Sequence, residues 1–349
     1  MRLVLALAVA IAACGGEAAR SSLTASPAPQ ATSSAIPSIN VSDMMGAFPP
    51  TTYFVVRPGN VTALALLNHA TKYTIAIAAG DAQVATATQA GRVYVLDQTR
   101  EGARLRWFEI ASGAEVRSQL IPGTSVVATG SGHGTLAFDS SNGEVFALLR
   151  QGSTMAIEEF EGFTLSPVKR RLGELRCGER VLASAGRVVL ACLGEGGLVV
   201  DGGAGAGKFN ARTPLVAIAM SANGTVIAGS ADSRLFKLAP AAVELETIDT
   251  LRDERIRLMS DGLAAQADCC FVVGALDRVA NPKITVFWGG FTLIRFPESS
   301  APSGGLLVQP PFAYYTVGKE ARHIDLQQGF AEVMAGFSEG VLLGAVADR

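Results

Sequence analysis

From about residue 46 onward the chain alternates short apolar runs with turns rich in Gly, Asn and Ser. The runs are too short for helices, and alternation within them has the two-residue period of β-strands. One pattern recurs along the chain. Leu105-Arg-Trp-Phe-Glu-Ile110 precedes Ser112-Gly113, and Glu144-Val-Phe-Ala-Leu148 follows the hairpin signal Asn142-Gly143. Gly197-Leu-Val-Val200, Arg234-Leu-Phe-Lys-Leu238, Ile284-Thr-Val-Phe-Trp288 and Arg322-His-Ile-Asp-Leu326 continue it. Their centres lie near residues 108, 146, 199, 236, 286 and 324, a mean spacing of about 43 residues. Residues 72–77 extend the series backwards. No long helical period interrupts it. The nearest candidate, residues 245–258, ends in a mixed charge run.

A period near 43 with several strands per unit matches a propeller blade. Within one unit the strands are assigned to residues 215–219, 225–228, 234–238 and 243–248, with Asn223-Gly224 as the first turn. The stretch Val216-Ala-Ile-Ala-Met-Ser-Ala-Asn-Gly-Thr225 resembles blades of the YVTN, quinoprotein-like and WD40-like propeller superfamilies, as does the stretch 104–116. Full WD dipeptides are missing. Trp107 and Trp288 are the only tryptophans, too few for a quinoprotein ladder. The expectation is therefore an all-β chain whose residues 47–349 form a propeller of four-stranded antiparallel sheets. Seven blades fit the length, with six or eight as alternatives and a two-domain β-sandwich as the rival. Residues 340–346 read as a strand left over, available to close the ring with residues 53–56.

The first 46 residues follow a different pattern. Met1-Arg2 precedes 11 unbroken apolar residues, 3–13. A helix of that length covers about half of a ~30 Å hydrocarbon core, so it reads as a signal-peptide h-region. The run ends in Ile11-Ala12-Ala13-Cys14, which resembles the lipobox of bacterial lipoproteins. That resemblance implies cleavage before Cys14, diacylglycerol on its thiol and palmitate in the mature anchor. It also implies a place in the bacterial cell envelope, facing the periplasm or the exterior. An ordinary secretory signal with a free Cys14 is the alternative. Gly15 stands where an Asp, in the family, tends to retain the protein at the inner membrane. Residues 15–40 contain 19 Ala, Ser, Pro, Gly or Thr among 26. Such a segment buries too little to offset its ordering entropy and reads as a tether. Expected boundaries are thus 1–13 for the signal, 14–46 for the lipidated linker and 47–349 for the propeller.

Export would place the remaining four cysteines in an oxidising compartment. Cys177 and Cys192 flank an apolar hairpin. A four-residue loop over 183–186 shares their midpoint, which sets the two directly opposite each other, within disulfide range. A 177–192 bridge is expected, with buried thiols as the alternative. Cys269-Cys270 are adjacent, so a bridge between them needs a strained link; reduced thiols are the favoured reading. Neither pair has metal-ligand spacing.

Composition narrows function more than it names it. The chain is 49% apolar and 17% charged, with 29 basic against 31 acidic residues. That balance gives no electrostatic pull toward nucleic acid. Gly202-Gly-Ala-Gly-Ala-Gly-Lys208 nearly spells a phosphate loop, but Phe209 stands where Ser or Thr should bind magnesium, and no helix start follows. It reads as an inter-strand turn. Gly336-Phe-Ser-Glu-Gly340 spells a nucleophile elbow around Ser338, but no histidine follows it, so it reads as a turn. His69, His133 and His323 are scattered over three units, with His133 in a glycine loop. Asp97, Asp139, Asp201, Asp232, Asp277 and Asp325 sit near strand ends, either ringing one face or capping their own turns. No catalytic residue, metal ligand or cofactor is assigned. The expected function is a membrane-anchored, non-enzymatic module that binds a protein, peptide or glycan. The alternatives are a propeller hydrolase or lyase acting at the axial mouth, and a quinoprotein-like oxidoreductase.

Overall fold

Runs such as Val93-Tyr-Val-Leu96 and Val188-Val-Leu-Ala191 are apolar at every position because both faces of their sheets are covered. Val93 and Val95 pack toward the preceding sheet, beside Phe54, Val61 and Ile75. Tyr94 and Leu96 point the other way, beside Val145, Leu149 and Phe160. In the same manner Val188 and Leu190 meet Phe146, Leu148 and Ile157, while Val189 and Ala191 meet Val226, Ala228 and Phe236. Period-two alternation therefore feeds two cores at once, one on each side of a sheet. Each fully buried Leu, Ile, Val or Phe contributes about 1.5–3 kcal/mol of transfer free energy.

The sheets are the blades of a β-propeller. The computed structural model describes residues 51–248, apart from short connecting stretches, and the backbone of the strands between 257 and 347. Seven sheets are present among them. Blade 1 runs from Val341–Ala347 at the axis through Thr51–Arg57 and Asn60–Ala65 to Thr71–Ala76. Blade 2 is Gln83–Ala87, Arg92–Gln98, Gly102–Glu109 and Glu115–Pro122. In blade 3 the inner strand is split into Ser125–Val126 and Leu136–Asp139, followed by Glu144–Gln151, Thr154–Glu161 and Pro167–Leu175. Blade 4 is Arg180–Ser184, Arg187–Cys192, Gly197–Asp201 and Gly207–Asn210. Blade 5 is Leu215–Met220, Val226–Ser230, Leu235–Leu238 and Glu246–Ile248. Blades 6 and 7 span 257–297 and 302–334 with the same order. The innermost strands neighbour one another from blade 1 through blade 7 and back to blade 1, so the ring closes. Closure uses the C-terminal strand: Thr52 pairs with Val346 and Val56 with Val341. Within Pro49–Arg349 the chain is one compact unit.

The repeat period holds, but the sequence series mixes strands. Third strands begin at residues 60, 102, 154, 197, 235, 282 and 320, six steps of about 43. Glu144–Gln151 is instead the second strand of blade 3, and Thr71–Ala76 the outer strand of blade 1. The strands of a blade share one apolar alternation, so pattern alone does not rank them from axis to rim. The outer strand of blade 5 is also shorter than expected, at Glu246–Ile248.

The meander puts turns of two kinds on opposite faces of the ring. Turns joining the first to the second strand, and the third to the fourth, share one face, here called the hairpin face. On it, hydrogen bonds step from blade to blade. The Tyr73 hydroxyl donates to the Ile110 carbonyl at 2.8 Å, linking blade 1 to blade 2. The Gly186 N–H donates to the Asp139 carboxylate at 2.7 Å, linking blade 4 to blade 3. The Ser184 hydroxyl donates to the Ala222 carbonyl at 2.9 Å, linking blade 4 to blade 5. The glycine-rich segment after Asp201 is a turn between strands on this same face. A side chain on Gly205 would meet the Pro240 carbonyl oxygen at 2.6 Å, so the turn lies close against blade 5.

Cys177 and Cys192 form a disulfide with Cα atoms 5.5 Å apart. The hairpin register differs from the expected one. Ala185 and Gly186 are both left-handed, with φ of 54° and 74°. That makes a two-residue turn in which Ser184 pairs with Arg187. Extending that register sets residue 194 opposite Cys177, so Cys192 lies two residues nearer the turn, and Cys177 reaches it from the connection ahead of Arg180–Ser184. Gly178 permits the approach, because a Cβ there would press on Leu148 Cδ2 at 2.8 Å.

Candidate functional site

An exposed aromatic is held rigidly on the hairpin face where blades 2 and 3 meet. Phe163 lies on the turn between the third and outer strands of blade 3 and is 50% exposed. Glu161 shapes that turn. Its carboxylate accepts from the N–H groups of Phe163 at 3.0 Å and Thr164 at 2.6 Å. The Leu165 N–H donates back to the Glu161 carbonyl at 2.8 Å, and Leu165 itself is buried. The bond from the Thr164 N–H holds the Glu161 carboxyl below its ordinary value, with the Phe163 N–H and the Arg92 charge acting in the same direction.

Blade 2 grips the turn by its carbonyls. Trp107 Nε1 donates to the Phe163 carbonyl at 2.9 Å. The Tyr94 hydroxyl donates to the Gly162 carbonyl at 2.7 Å, and Arg92 Nη1 to the same oxygen at 3.3 Å. The Gly162 N–H in turn donates to the Gly143 carbonyl at 3.0 Å. Only glycine fits at 162, since a Cβ would stand 2.9 Å from the Tyr94 oxygen and closer still to the Gly143 oxygen. Tyr94 is fully buried, and that burial pushes its phenol above the ordinary value, against the Arg92 hydrogen bond.

The Arg92 guanidinium carbon lies 5.0 Å from the Trp107 ring centre and 4.8 Å from the Phe163 ring centre. The two rings are 5.9 Å apart and tilted by 42°. Such a cation between two rings is worth about 0.5–2 kcal/mol, more as water is excluded. The arrangement presents a half-exposed ring beside a fixed positive charge. It suits a flat apolar surface that carries an acceptor or a negative group.

The carboxylates singled out in the sequence do not ring one face. Asp97 is fully buried on the opposite face, paired with Arg104 at 2.7 Å and Arg106 at 3.1 Å. Asp139 caps its own turn through Ser141 N–H at 2.9 Å. Asp232 pairs with Arg234 at 2.6 Å, and the Arg234 hydrogen bond lowers its carboxyl. Asp201 ends the third strand of blade 4, on the hairpin face. Asp325 ends the third strand of blade 7, and His323 lies within it, opposite Tyr314. Lys208 is exposed on the outer strand of blade 4. The Cys177 and Cys192 sulfurs lie with a Glu195 oxygen within 4.8 Å of one another, but their disulfide leaves no thiolate for a metal.

Cys14, His69, His133, Cys269, Asp277 and Ser338 lie outside the described residues. So do the side chains of Cys270, His323 and Asp325. The segment carrying His133 interrupts the innermost strand of blade 3. Its neck is described: the Thr135 hydroxyl donates to the Val127 carbonyl at 2.9 Å. From blade 2 Gln83 accepts the Thr135 N–H at 3.2 Å, and from blade 4 the Val181 N–H donates to the Gly134 carbonyl.

Sequence reasoning missed the Arg92, Trp107 and Phe163 cluster. Trp107 was visible as one of two tryptophans, but its partner Phe163 is 56 residues away. A tryptophan in a strand, followed a blade later by Glu-Gly-Phe-Thr, carries no recognised spacing.

No protein-family model matches the chain, and no curated protein matches it in sequence. Solved structures do. A functionally unknown protein from Desulfotomaculum acetoxidans is 10% identical with a TM-score of 0.59, over 85% of this chain and 99% of that one. The computationally designed protein Ika8 is 14% identical with a TM-score of 0.55, over 84% and 89%. U3-55K is 11% identical with a TM-score of 0.54, over 83% and 90%. At these identities the likeness is one of fold. The protein is an all-β, seven-bladed propeller.

Proposed function

We propose that this chain is a lipid-anchored, extracytoplasmic binding module whose propeller presents the hairpin face to a protein, peptide or glycan. The observation that carries the reading is Phe163. A half-exposed aromatic gripped by Trp107, Tyr94, Gly162 and Arg92 is preorganised, so little side-chain entropy is left to lose on binding. Aromatic residues and arginine are enriched at binding hot spots. Four of the described carboxylates support the same reading, since Asp97, Asp139, Glu161 and Asp232 are each engaged in an ion pair or a backbone cap. The anchor rests on the Ile11-Ala-Ala-Cys14 resemblance, and the 15–40 segment supplies reach of about 30 Å as a flexible coil.

Two measurements test this. Metabolic labelling with a palmitate analogue is expected to mark the protein and to fail on Cys14→Ser; equal label on the variant overturns the anchor. A photo-crosslinking residue at Val168, exposed at the start of the strand that follows the Phe163 turn, is expected to capture one envelope component in the native host. Phe163→Ala, with an unchanged melting temperature, should abolish that capture. Capture that persists in Phe163→Ala, or no capture at all, overturns the assignment of the binding face.

A further inference from the structure

The outer strand of blade 2, Glu115–Pro122, has Gly102–Glu109 on one side and, among the described residues, no strand on the other. Its register is unbroken from Arg117 to Pro122. The Gly123 N–H donates to the Glu101 carbonyl at 3.1 Å, and antiparallel alternation from that bond turns the backbone groups of Ser118 and Leu120 away from the blade. An edge of this kind is a template for a further strand unless it is blunted. Here the C-terminal half is blunted. Pro122 has no N–H, and Gln119 Nε2 covers the Leu120 carbonyl at 2.8 Å. Ser118 keeps both its N–H and its carbonyl on the open edge, and the strand is exposed from Glu115 to Ser118.

The side chains beside this opening are cationic and available. Arg117 lies directly opposite Trp107, on the face of blade 2 that meets blade 3. It is exposed and has no acceptor or ion pair among the described residues. Arg92 reaches over the Trp107 ring from the second strand. Its Nη1 is taken by the Gly162 and Tyr94 oxygens, but its Nε and Nη2 have no acceptor among the described residues. Unlike the orphaned nitrogens of Arg106 and Arg187, those two are open to solvent. The neighbouring carboxylates are already engaged. Glu109, opposite Arg92, accepts from the Ser112 hydroxyl, and Glu115 pairs with Arg106. Glu161 holds the N–H groups of Phe163 and Thr164.

We propose that Glu115–Ser118 takes an extended acidic segment of a partner protein as a fifth strand of blade 2. The inference rests on the reading that Phe163 marks the binding face. The Ser118 N–H and carbonyl pair with the added backbone, which supplies affinity. On the side facing blade 3, a carboxylate of the segment meets Arg117, and Arg92 adds a second positive charge behind it. An apolar side chain on that side lies toward Phe163. The open edge favours a protein over a glycan, because a peptide backbone can complete a ladder and a sugar chain cannot. The open side-chain donors favour acidic residues, because both are arginines.

The test reads fluorescence anisotropy as the full chain is added to labelled hexapeptides in which Asp or Glu alternates with Val or Phe. These are expected to bind at least about tenfold more tightly than the same peptides with Lys at the acidic positions. Equal or reversed affinities overturn the proposal. Arg117→Ala changes an exposed side chain, so it should weaken binding about tenfold with an unchanged melting temperature. Ser118→Pro removes an N–H that the blade does not use, and should abolish binding. Unaltered affinity in either variant overturns the site. Exchange of the Ser118 amide should slow about tenfold with the peptides bound. Unchanged exchange overturns strand addition, and this measurement decides alone should Ser118→Pro fail to fold. Tighter binding to polygalacturonate than to the acidic peptides overturns the assignment to a protein. If no peptide binds while capture from Val168 still depends on Phe163, the acidic strand is overturned and the binding face stands. If that capture is lost as well, the face falls with it.

Discussion

Replacing Asp97 by Asn removes one charge from the core at almost constant volume. The carboxylate is fully buried in the second strand of blade 2. Its Oδ1 accepts from Arg104 Nε at 3.2 Å. Its Oδ2 accepts from Arg104 Nη2 at 2.7 Å, Arg106 Nη2 at 3.1 Å and the Ala78 N–H at 3.2 Å. Arg106 is nearly as buried and also donates to the Ala76 carbonyl at 2.9 Å, so the network joins blade 2 to blade 1. Asparagine would leave Arg106 with Glu115, itself 43% exposed, as its remaining carboxylate, at 3.3 Å. Breaking a buried pair by removing one partner costs about 3–5 kcal/mol. The half-open Arg104 adds little to that, because solvent screens it. The expected loss is therefore about 3–5 kcal/mol, or about 5–8 °C in melting temperature for a unit of this size. Urea unfolding reads it as a lower midpoint at constant slope, without the ionic strength of guanidinium. Asp232→Asn is the control, because that pair is 53% and 41% exposed and should change stability by less than about 0.5 kcal/mol. Equal losses in the two variants would refute the argument. So would a double variant, Asp97→Leu with Arg106→Met, that recovers nothing of the single-variant loss.

Other substitutions separate further effects. The Cys177→Ser, Cys192→Ser double variant should fold with a loss of about 1–2 kcal/mol, below the ~3 kcal/mol of the loop-closure model, because the hairpin already restrains the segment. Non-reducing peptide mapping of exported protein should recover the 177–192 bridge; free thiols, or a bridge to Cys269 or Cys270, would count against it. Gly205→Ala should cost about 2–3 kcal/mol, since its Cβ meets the Pro240 and Ala242 carbonyl oxygens at 2.6 and 2.9 Å. Gly59→Ala has open space and only a left-handed φ of 81°, so about 1–2 kcal/mol is expected from thermal unfolding. Glu161 has a folded-state value below its unfolded one, so its stabilisation is complete above the unfolded value near pH 4 and is lost as pH falls through the lower folded value. Exchange of the Phe163 and Thr164 amides should accelerate in that acid window, and in Glu161→Gln the window should vanish.

The ring was legible because a blade repeats two signals that physics makes visible, the apolar alternation and the turn after it. Asn223-Gly224 marked the first turn of blade 5, and residues 340–346 announced the closing strand that now pairs Val341 with Val56. What alternation cannot supply is rank within a blade, so the series groups Glu144–Gln151, a second strand, with runs that are third strands. The disulfide partners were legible too, but the register was not. Midpoint arithmetic assumed a four-residue loop, whereas the left-handed pair Ala185-Gly186 closes in two. An alanine at positive φ is uncommon, and nothing in its own letter announces it. The candidate site was the least legible part. It brings Arg92 and Phe163 together across a blade boundary, and period-two patterns stop at the sheet they describe.

The cross-blade bonds of the hairpin face share a chemical asymmetry with consequences for which residues can change. Their acceptors are mostly backbone carbonyls: Ile110, Gly162, Phe163, Ala222 and Gly224. Any residue supplies a carbonyl, so identity there is set by space alone. Space is what selects glycine at 162, against the Tyr94 oxygen, and limits a side chain at 224, where a Cβ would stand 3.2 Å from Arg187 Cδ. The donors are the opposite case. Tyr73, Tyr94, Trp107, Ser184 and Arg187 each reach one blade forward with a side chain whose length and N–H or O–H fix the bond. Removing a donor takes the partner from its carbonyl, whereas changing an acceptor residue leaves the bond intact unless its Cβ collides. The rigidity of this face, and with it the fixed posture of Phe163, therefore depends on a few donor side chains in the blades rather than on the turns they hold.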